Sequence, residues 1–201
     1  MAGDGARVPF VGLTGGIAAG KSEALKALER LGAATLSSDA VVRELLTTGE
    51  IRDQLVEKFG DEVAPDGEID RGKVAEHVFS DDERREWLEG LLWPRVGQRI
   101  WEWRTDLAHR DDPPRAAVVE VPLLFEAGME EGFDATIAVV ADESVREDRA
   151  GQRGHVGVAS RTARQLSQDE KSQRADYTVR NDGTLDELET KLSEVLGKIE
   201  A

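Results

Sequence analysis

Residues 11–22 read V-G-L-T-G-G-I-A-A-G-K-S, an apolar run that breaks into glycines and ends on a lysine and a serine. The pattern G-x-x-x-x-G-K-[ST] is met from Gly15 to Ser22. Apolar residues before the glycines predict a buried strand, and the spacing of apolar and small residues after Lys21 predicts an amphipathic helix. This order of strand, glycine turn and helix constrains the fold more than any other feature, because it is typical of α/β layered proteins.

The residue types in this glycine loop suit a phosphate site. Glycines allow consecutive backbone N–H groups to turn towards phosphate oxygens, and the following helix adds the positive end of its dipole. Lys21 supplies a mobile positive charge, and the Ser22 hydroxyl is a suitable ligand for Mg²⁺. The loop predicts a nucleotide site, but it is shared by kinases, motors, switches and nucleotide-binding regulatory proteins.

Short apolar runs along the rest of the chain predict the other strands of a parallel sheet. Such continuous runs are expected where a strand is buried on both faces. The predicted strands cover residues 8–13, 33–36, 116–121, 135–141 and, with a weaker signal, 177–179. Helical patterns lie between them, so the chain predicts an α/β fold with a parallel sheet core.

Helices are expected over residues 21–31, after Ser38, between residues 50 and 80, and over a long stretch from residue 87 to residue 107. In the long pattern, one stripe is apolar, and Pro94 is expected to kink or split the helix. The stripe contains Trp87, Leu88, Leu91, Leu92, Val96, Ile100, Trp103 and Leu107.

The composition narrows the classes of function. The 201 residues carry a formal net charge of −15 and contain no cysteine, which excludes disulfides, thiolate metal sites and cysteine nucleophiles. An acidic surface repels nucleic acid and anionic membranes, so neither is expected as a partner. No apolar run approaches the length of a membrane span, and a cytoplasmic location is expected.

Three carboxylates are candidates for chemistry near the sheet. Asp39 follows a predicted strand, so it is either a base that accepts a proton from an attacking hydroxyl or the N-cap of the next helix. Glu120 and Glu126 follow another strand, where an acid could orient Mg²⁺ through water. The alternative for both is an ordinary exposed loop carboxylate, which the sequence slightly favours for Glu120.

Five arginines between residues 146 and 164 stand out in this acidic chain. Glycines lie among them, so the segment is expected to be a mobile lid that clamps phosphate through bidentate hydrogen bonds. The alternative is a solvated helix face paired with neighbouring acids. The arginines are Arg146, Arg149, Arg153, Arg161 and Arg164.

Several motifs occur in order along nearly the whole chain. They are G-L-T-G-G-I-A-A-G-K-S at 12–22, S-S-D-A-V-V-R at 37–43, V-P-L-L-F-E at 121–126, R-A-G-Q-R at 149–153, R-Q-L-S-Q at 164–168, Lys171, and A-D-Y-T-V-R-N-D-G-T at 175–184. On these motifs the chain resembles the dephospho-coenzyme A kinase family from about residue 8 to about residue 190.

The resemblance implies phosphorylation of the ribose 3′-hydroxyl of dephospho-coenzyme A, with ATP and Mg²⁺. In the family pattern, residues 15–22 bind the ATP phosphates and Asp39 faces the acceptor hydroxyl. Arg149 and Arg153 contact ATP phosphates, and Asn181 lies near the base. The resulting predicted catalytic residues are Asp39, Lys21 and Arg149; the predicted nucleotide-binding residues are Gly15, Gly16, Ile17, Ala18, Ala19, Gly20, Lys21, Ser22, Glu23, Arg153 and Asn181; the predicted metal ligand is Ser22.

The resemblance also implies a P-loop three-layer sandwich as one domain over residues 1–201, with a helical insertion and a lid. The predicted core covers 8–38, 114–145 and 174–199, the substrate-binding helices about 39–113, and the lid about 146–173. A monomer or small homo-oligomer is expected. The chain departs from the family pattern at Ser37, where a carboxylate is frequent, at Ala18-Ala19, where Gly-Ser is common, and at Trp93, where histidine is frequent.

Overall fold

The computed structural model describes residues 7–79, 81–152 and 165–201. The chain divides into two compact units, one formed by Met1–Ser37 with Arg104–Ala201 and the other by Ser38–Trp103. The first unit contains the sheet, and the second is helical. Part of the predicted lid, residues 153–164, lies outside the described residues, so the boundaries of core, helical region and lid stay predictions.

In the described residues, five parallel strands form one sheet in the order β2-β3-β1-β4-β5. The strands are β1 (Phe10–Gly15), β2 (Ala34–Ser37), β3 (Ala117–Glu120), β4 (Ala135–Val140) and β5 (Tyr177–Arg180). All the predicted strands are confirmed, and no strand end is shifted by more than two residues.

The helices of the described residues flank this sheet or form the second unit. They are α1 (Lys21–Arg30), α2 (Ser38–Leu45), α3 (Gly49–Phe59), α4 (Arg71–Phe79), α5 (Asp82–Ala108), α6 (Glu143–Gln152), α7 (Gln168–Arg174) and α8 (Leu185–Ile199), with short 3₁₀ helices at Asp61–Val63 and Glu130–Gly132. None of the helices that the structure describes combines the length and apolar character needed to cross a bilayer.

Strand β1 begins and ends two residues later than the sequence indicates. The N–H of Phe10 donates to Asp134 Oδ2 at 2.8 Å, which holds the start of the strand from a distant loop. At the other end, pairing with β4 continues as far as Gly15, which lies opposite Val139. The strand therefore includes the first glycine of the loop, because parallel pairing overrides the weak strand propensity of glycine.

The strand order places a switch point between β1 and β3. The chain leaves β1 towards the β2 edge, whereas after β3 it crosses β1 and enters β4. Ligands of open α/β sheets bind at the carboxyl ends of the strands beside such a point. Leu13 of β1 and Ser37 of β2 both lie level with Glu120 of β3, so these three ends reach the same edge.

The two faces of the sheet are covered differently, because side chains alternate along a strand. Val11 and Leu13 belong to an apolar cluster with the buried sides of α1 and α8. Thr14 points to the opposite face, where its Oγ1 donates to the carbonyl of Pro122 at 3.3 Å. The buried helical residues of the cluster are Ala24, Ala27, Leu28, Leu188, Leu192, Val195 and Leu196.

Helix α5, most of which belongs to the second unit, is a single helix of 27 residues with Pro94 inside it. Of the two predicted effects of this proline, a kink or a split, the split is therefore wrong, and the kink stays a prediction. A proline removes one hydrogen bond and crowds the carbonyl four residues earlier, here that of Gly90. Both residues are exposed, so water can satisfy that carbonyl. Burial of stripe residues on both sides of the proline, such as Leu91 and Val96, favours a continuous helix.

Helix α8 offers a matched test of this packing. Leu192 is 0% exposed in the apolar cluster, whereas Leu185 on the same helix is 55% exposed. We expect Leu192→Ala to lower the free energy of unfolding by about 2–5 kcal/mol, because it removes buried methyl groups and leaves a cavity. Leu185→Ala should change it by less than about 0.5 kcal/mol. Urea denaturation of both variants measures the difference, and equal losses would contradict the packing.

Candidate active site

The glycine loop connects β1 to α1 through a backbone that few residue types adopt. Gly20 has φ 97° and Ala18 has φ 60°, both in the left-handed region. A Cβ on Gly20 would lie 2.1 Å from Asn181 Nδ2, so both its conformation and its neighbour require glycine. Ala18 occupies the left-handed region with a side chain, at a cost of about 1–2 kcal/mol.

The carbonyl oxygens of the loop are held by donors from several parts of the chain. Lys21 Nζ donates to Gly15 O at 3.1 Å and to Gly16 O at 3.0 Å. Arg146 Nε donates to Ile17 O at 3.1 Å. Holding the carbonyls on one side directs the peptide N–H groups to the other side, which is the side an anion would need.

Three N–H groups of this loop are available for such an anion. Those of Ile17, Ala18 and Gly20 donate to no acceptor among the described residues. The N-terminus of α1, which begins at Lys21, adds its positive dipole end. Because the donors and the dipole converge, the loop can cradle a group of the size and charge of a phosphate.

The two residues after Lys21 differ in what their side chains do. Ser22 is exposed in the first turn of α1, so its hydroxyl is accessible at the end of the loop. Glu23 forms an ion pair with Lys26 at 3.0 Å, and its N–H donates to Gly20 O at 3.1 Å. Glu23 therefore closes the first turn of the helix, and its predicted contact with nucleotide stays a prediction.

Asn181 braces the loop from the end of β5. Its side chain is buried, and Nδ2 donates to Ala19 O at 2.9 Å. Its backbone N–H donates to Val140 O at 2.8 Å, which continues the β4–β5 pairing by one residue. The carboxamide of Asn181 therefore contacts the loop backbone. The predicted contact of Asn181 with the nucleotide base stays a prediction.

Helix α6 brings two of the predicted arginines to the loop. Arg146 bonds Ile17 O and also forms an ion pair with Glu143 at 3.0 Å. Arg149 Nη1 donates to the backbone oxygen of Asn181 at 3.0 Å. Each guanidinium keeps further donors for an anion. Arg153, the other arginine assigned to ATP, lies outside the described residues, as do Arg161 and Arg164.

Glu120 at the end of β3 is buried and Glu126 beyond it is half-buried, so the slightly favoured interpretation of Glu120 as an ordinary exposed loop carboxylate is wrong. Glu120 is the last residue of β3 and is 9% exposed. Glu126 pairs with Lys171 at 3.0 Å, and the two side chains are 13% and 0% exposed. The sequence missed this because the lysine lies far along the chain and the two charges meet only after folding.

Lys171 connects Glu126 to the backbone that follows β3, beside the switch point of the sheet. Its Nζ donates to Pro122 O at 2.6 Å, the carbonyl that also accepts the Thr14 hydroxyl. Burial lowers the pKa of Lys171, whereas the hydrogen bond and charge of Glu126 act to raise it. A buried charge of this kind needs its partner, because an unpaired ion in the interior is costly.

Asp39 is the second residue of α2, two positions after β2 ends at Ser37. The helix begins at Ser38, so Asp39 lies in the first turn and the N-cap interpretation of this residue is wrong. A carboxylate in the first turn still interacts favourably with the helix dipole. Its side chain is exposed.

A dephospho-CoA kinase family model matches residues 9–187 of the chain. The chain belongs to the dephospho-CoA kinase family. It is 39% identical to the dephospho-CoA kinase of Moorella thermoacetica over 82% of this chain and 78% of that relative. It is 36% identical to the dephospho-CoA kinase of Deinococcus radiodurans over 94% of this chain and 92% of that relative.

Solved structures agree with this family at the level of the fold. A Thermus thermophilus protein has a TM-score of 0.81 at 32% identity, covering 96% of this chain and 98% of that one. A dephospho-CoA kinase from Campylobacter jejuni has a TM-score of 0.64 at 24% identity, with 96% and 98% covered. These similarities confirm the predicted α/β P-loop kinase fold.

Two further features of the loop, one backbone conformation and one side-chain contact, could not be predicted from the sequence. Nothing in the spacing of Ala18 indicates a left-handed backbone, although glycine is common there in the family. The side chain of Gln168 packs against Gly16. The motif R-Q-L-S-Q contains this glutamine, but a motif match does not indicate which backbone group a side chain touches.

Gly20 and Ala18 provide a matched pair of tests. We expect Gly20→Ala to lower the free energy of unfolding by about 1–2 kcal/mol or more, from left-handed strain and the clash with Asn181. Ala18→Gly should raise it by no more than about 1 kcal/mol, because relief of strain is partly offset by the entropy of glycine. Thermal and urea denaturation measure both changes, and a destabilised Ala18→Gly would contradict the strain.

Proposed function

We propose that the chain transfers the γ-phosphoryl group of ATP to the ribose 3′-hydroxyl of dephospho-CoA, giving CoA and ADP. The observation that carries this proposal is the dephospho-CoA kinase family match over residues 9–187. The glycine loop, with unbonded N–H groups at the switch point of the sheet, supports the nucleotide half of this proposal from the geometry.

The donor half of the site is built around the glycine loop, residues 15–22. Its N–H groups and the N-terminus of α1 bind the phosphates of ATP. On nucleotide binding, the Lys21 ammonium lies beside the β- and γ-phosphates and gives up or shares its hydrogen bonds to the carbonyls of Gly15 and Gly16. There it offsets the negative charge that develops during phosphoryl transfer. Arg149, held against Asn181 O, adds positive charge on the α6 side. These cations give a strongly acidic protein a local positive field.

Magnesium fits this donor half through Ser22. The hydroxyl is exposed in the first turn of α1 directly after Lys21, and Mg²⁺ is commonly held by one such oxygen together with phosphate oxygens and waters. When bound, the ion neutralises phosphate charge and favours one geometry of the triphosphate. Ser22 is the residue of this chain that would contact it.

We assign the acceptor side to Asp39. As the 3′-hydroxyl oxygen forms its bond to the γ-phosphorus, its proton passes to the Asp39 carboxylate. The bond between the γ-phosphorus and the bridging oxygen breaks, and ADP leaves with that electron pair. Support comes from the match of Asp39 to the family pattern and from the exposed position of its carboxylate. The cytoplasmic location and the monomeric or small homo-oligomeric state stay predictions.

The acceptor assay tests the proposal directly. Purified protein is incubated with ATP, MgCl₂ and dephospho-CoA, and ADP and CoA are quantified by chromatography. We expect one ADP for each CoA formed and ADP production that depends on the acceptor. Adenosine and shikimate serve as control acceptors. ADP formed at the same rate without dephospho-CoA, or with a control acceptor instead, would overturn the assignment.

Asp39→Asn isolates the proposed base. We expect kcat to fall by about two orders of magnitude or more, because the amide cannot accept the proton, while ADP affinity stays within about twofold. Asp66→Asn is the matched control, since Asp66 is an exposed aspartate in the same helical unit. Steady-state kinetics and calorimetric titration with ADP provide the two readouts. Equal kcat in both variants would contradict the role of Asp39.

A further inference from the structure

Helix α7 begins beside the glycine loop. A capping box fixes this start, because the Ser167 hydroxyl accepts from the N–H of Glu170 and the Glu170 carboxylate accepts from the N–H of Ser167 at 2.8 Å. The first residue of the helix is Gln168. Its side chain is therefore presented from a defined backbone.

The carboxamide of Gln168 is fixed by one residue at the carboxyl end of β4. Ala141 N donates to Gln168 Oε1 at 3.0 Å, and Gln168 Nε2 donates to Ala141 O at 2.9 Å. Ala141 is buried. Because Ala141 both donates to and accepts from the Gln168 carboxamide, these two hydrogen bonds fix the orientation of the amide plane and of the aliphatic part of the side chain.

The oriented stem lies against the loop. A Cβ on Gly16 would be 2.7 Å from Gln168 Cγ, so the glutamine fills the space beside this glycine. Gly16 O accepts the Lys21 ammonium at 3.0 Å and the N–H of Ala19 at 3.3 Å. The position of Gly16 thus determines where the Lys21 ammonium lies and fixes the turn that orients the loop N–H groups.

We propose that Gln168 is a positioning residue for the ATP phosphates, which holds Gly16 in place by bridging it to the end of β4. The inference rests on the proposed donor site. Gln168 itself touches the loop, and the loop touches the nucleotide. Loss of the side chain lets Gly16 move into the space it leaves, which misplaces the loop amides and Lys21.

The rest of α7 does not depend on this glutamine for its attachment. Three residues along the helix, Lys171 bonds Pro122 O at 2.6 Å and pairs with Glu126 at 3.0 Å. Residues three apart lie on the same side of a helix, so Lys171 keeps that side docked when Gln168 is shortened. A substitution at Gln168 therefore perturbs the loop more than the fold.

The test uses Gln168→Ala in the full chain, with Gln173→Ala as the matched control. Gln173 lies on the same helix and is exposed. We expect the affinity for ADP, measured by calorimetric titration, to fall about tenfold in Gln168→Ala. The KM for ATP should rise by a similar factor, while the KM for dephospho-CoA stays within about twofold. Gln173→Ala should leave all three values unchanged.

Gln168→Glu is the second variant. It keeps the length of the stem and the acceptor for Ala141 N, but it places negative charge beside the loop and loses the donor to Ala141 O. We expect a larger loss of ADP affinity than in Gln168→Ala, because the carboxylate repels phosphate. Unchanged ADP affinity in either folded variant, or a fall in thermal stability with both KM values unchanged, would overturn the positioning role.

ADP binding requires no acceptor, so the two proposals fail separately. If dephospho-CoA is not the acceptor, the ADP titrations still report on Gln168. If Gln168 has no positioning role, the Gln168→Ala variant binds ADP as the wild-type chain does, and acceptor-dependent formation of CoA continues.

Discussion

The site depends on one constraint: the carbonyl oxygens of the glycine loop are held from behind, so that the peptide N–H groups face the other way. Lys21 holds the carbonyls of Gly15 and Gly16, Arg146 holds that of Ile17, and Asn181 holds that of Ala19. A flexible glycine turn has no preferred direction for its amides. Donors fixed by α1, α6 and the end of β5 supply that direction, and the amides then act as a preorganised anion site.

The same donors explain how a chain with a net charge of −15 can bind a polyphosphate. Lys21, Arg146 and Arg149 meet at the loop together with the positive end of α1. The positive field is short-ranged, since charges beyond about 10 Å are screened at moderate ionic strength. Acidic residues elsewhere on the surface therefore weaken binding less than the total charge suggests. Buried Lys171 contributes differently, because Glu126 neutralises it and the pair fastens α7 to the turn after β3.

Local sequence patterns predicted most of the fold. Strands β3 and β4 were predictable because continuous apolar runs of that length are typical of strands buried on both faces of a parallel sheet. A kink or split of α5 was predicted because Pro94 disfavours a helix, but the helix is not split, since the apolar stripe on both sides outweighs the lost hydrogen bond. The ion pair of Glu126 could not be predicted from the sequence, because its partner, Lys171, lies far along the chain. Arg153 was assigned from the family pattern and lies outside the described residues.

By itself, the sequence determined the glycine loop, its place between a strand and a helix, and the family to which the chain belongs. These follow from residue types at short spacing, where backbone preference and hydrophobic period act directly. Only the tertiary structure decided which groups hold the loop: Arg146, Gln168 and Asn181 come from distant segments and meet it at the carboxyl edge of the sheet. The physical reason is that hydrogen-bond partners are chosen by proximity after strand pairing, and strand order is set by packing of the whole sheet rather than by any one segment.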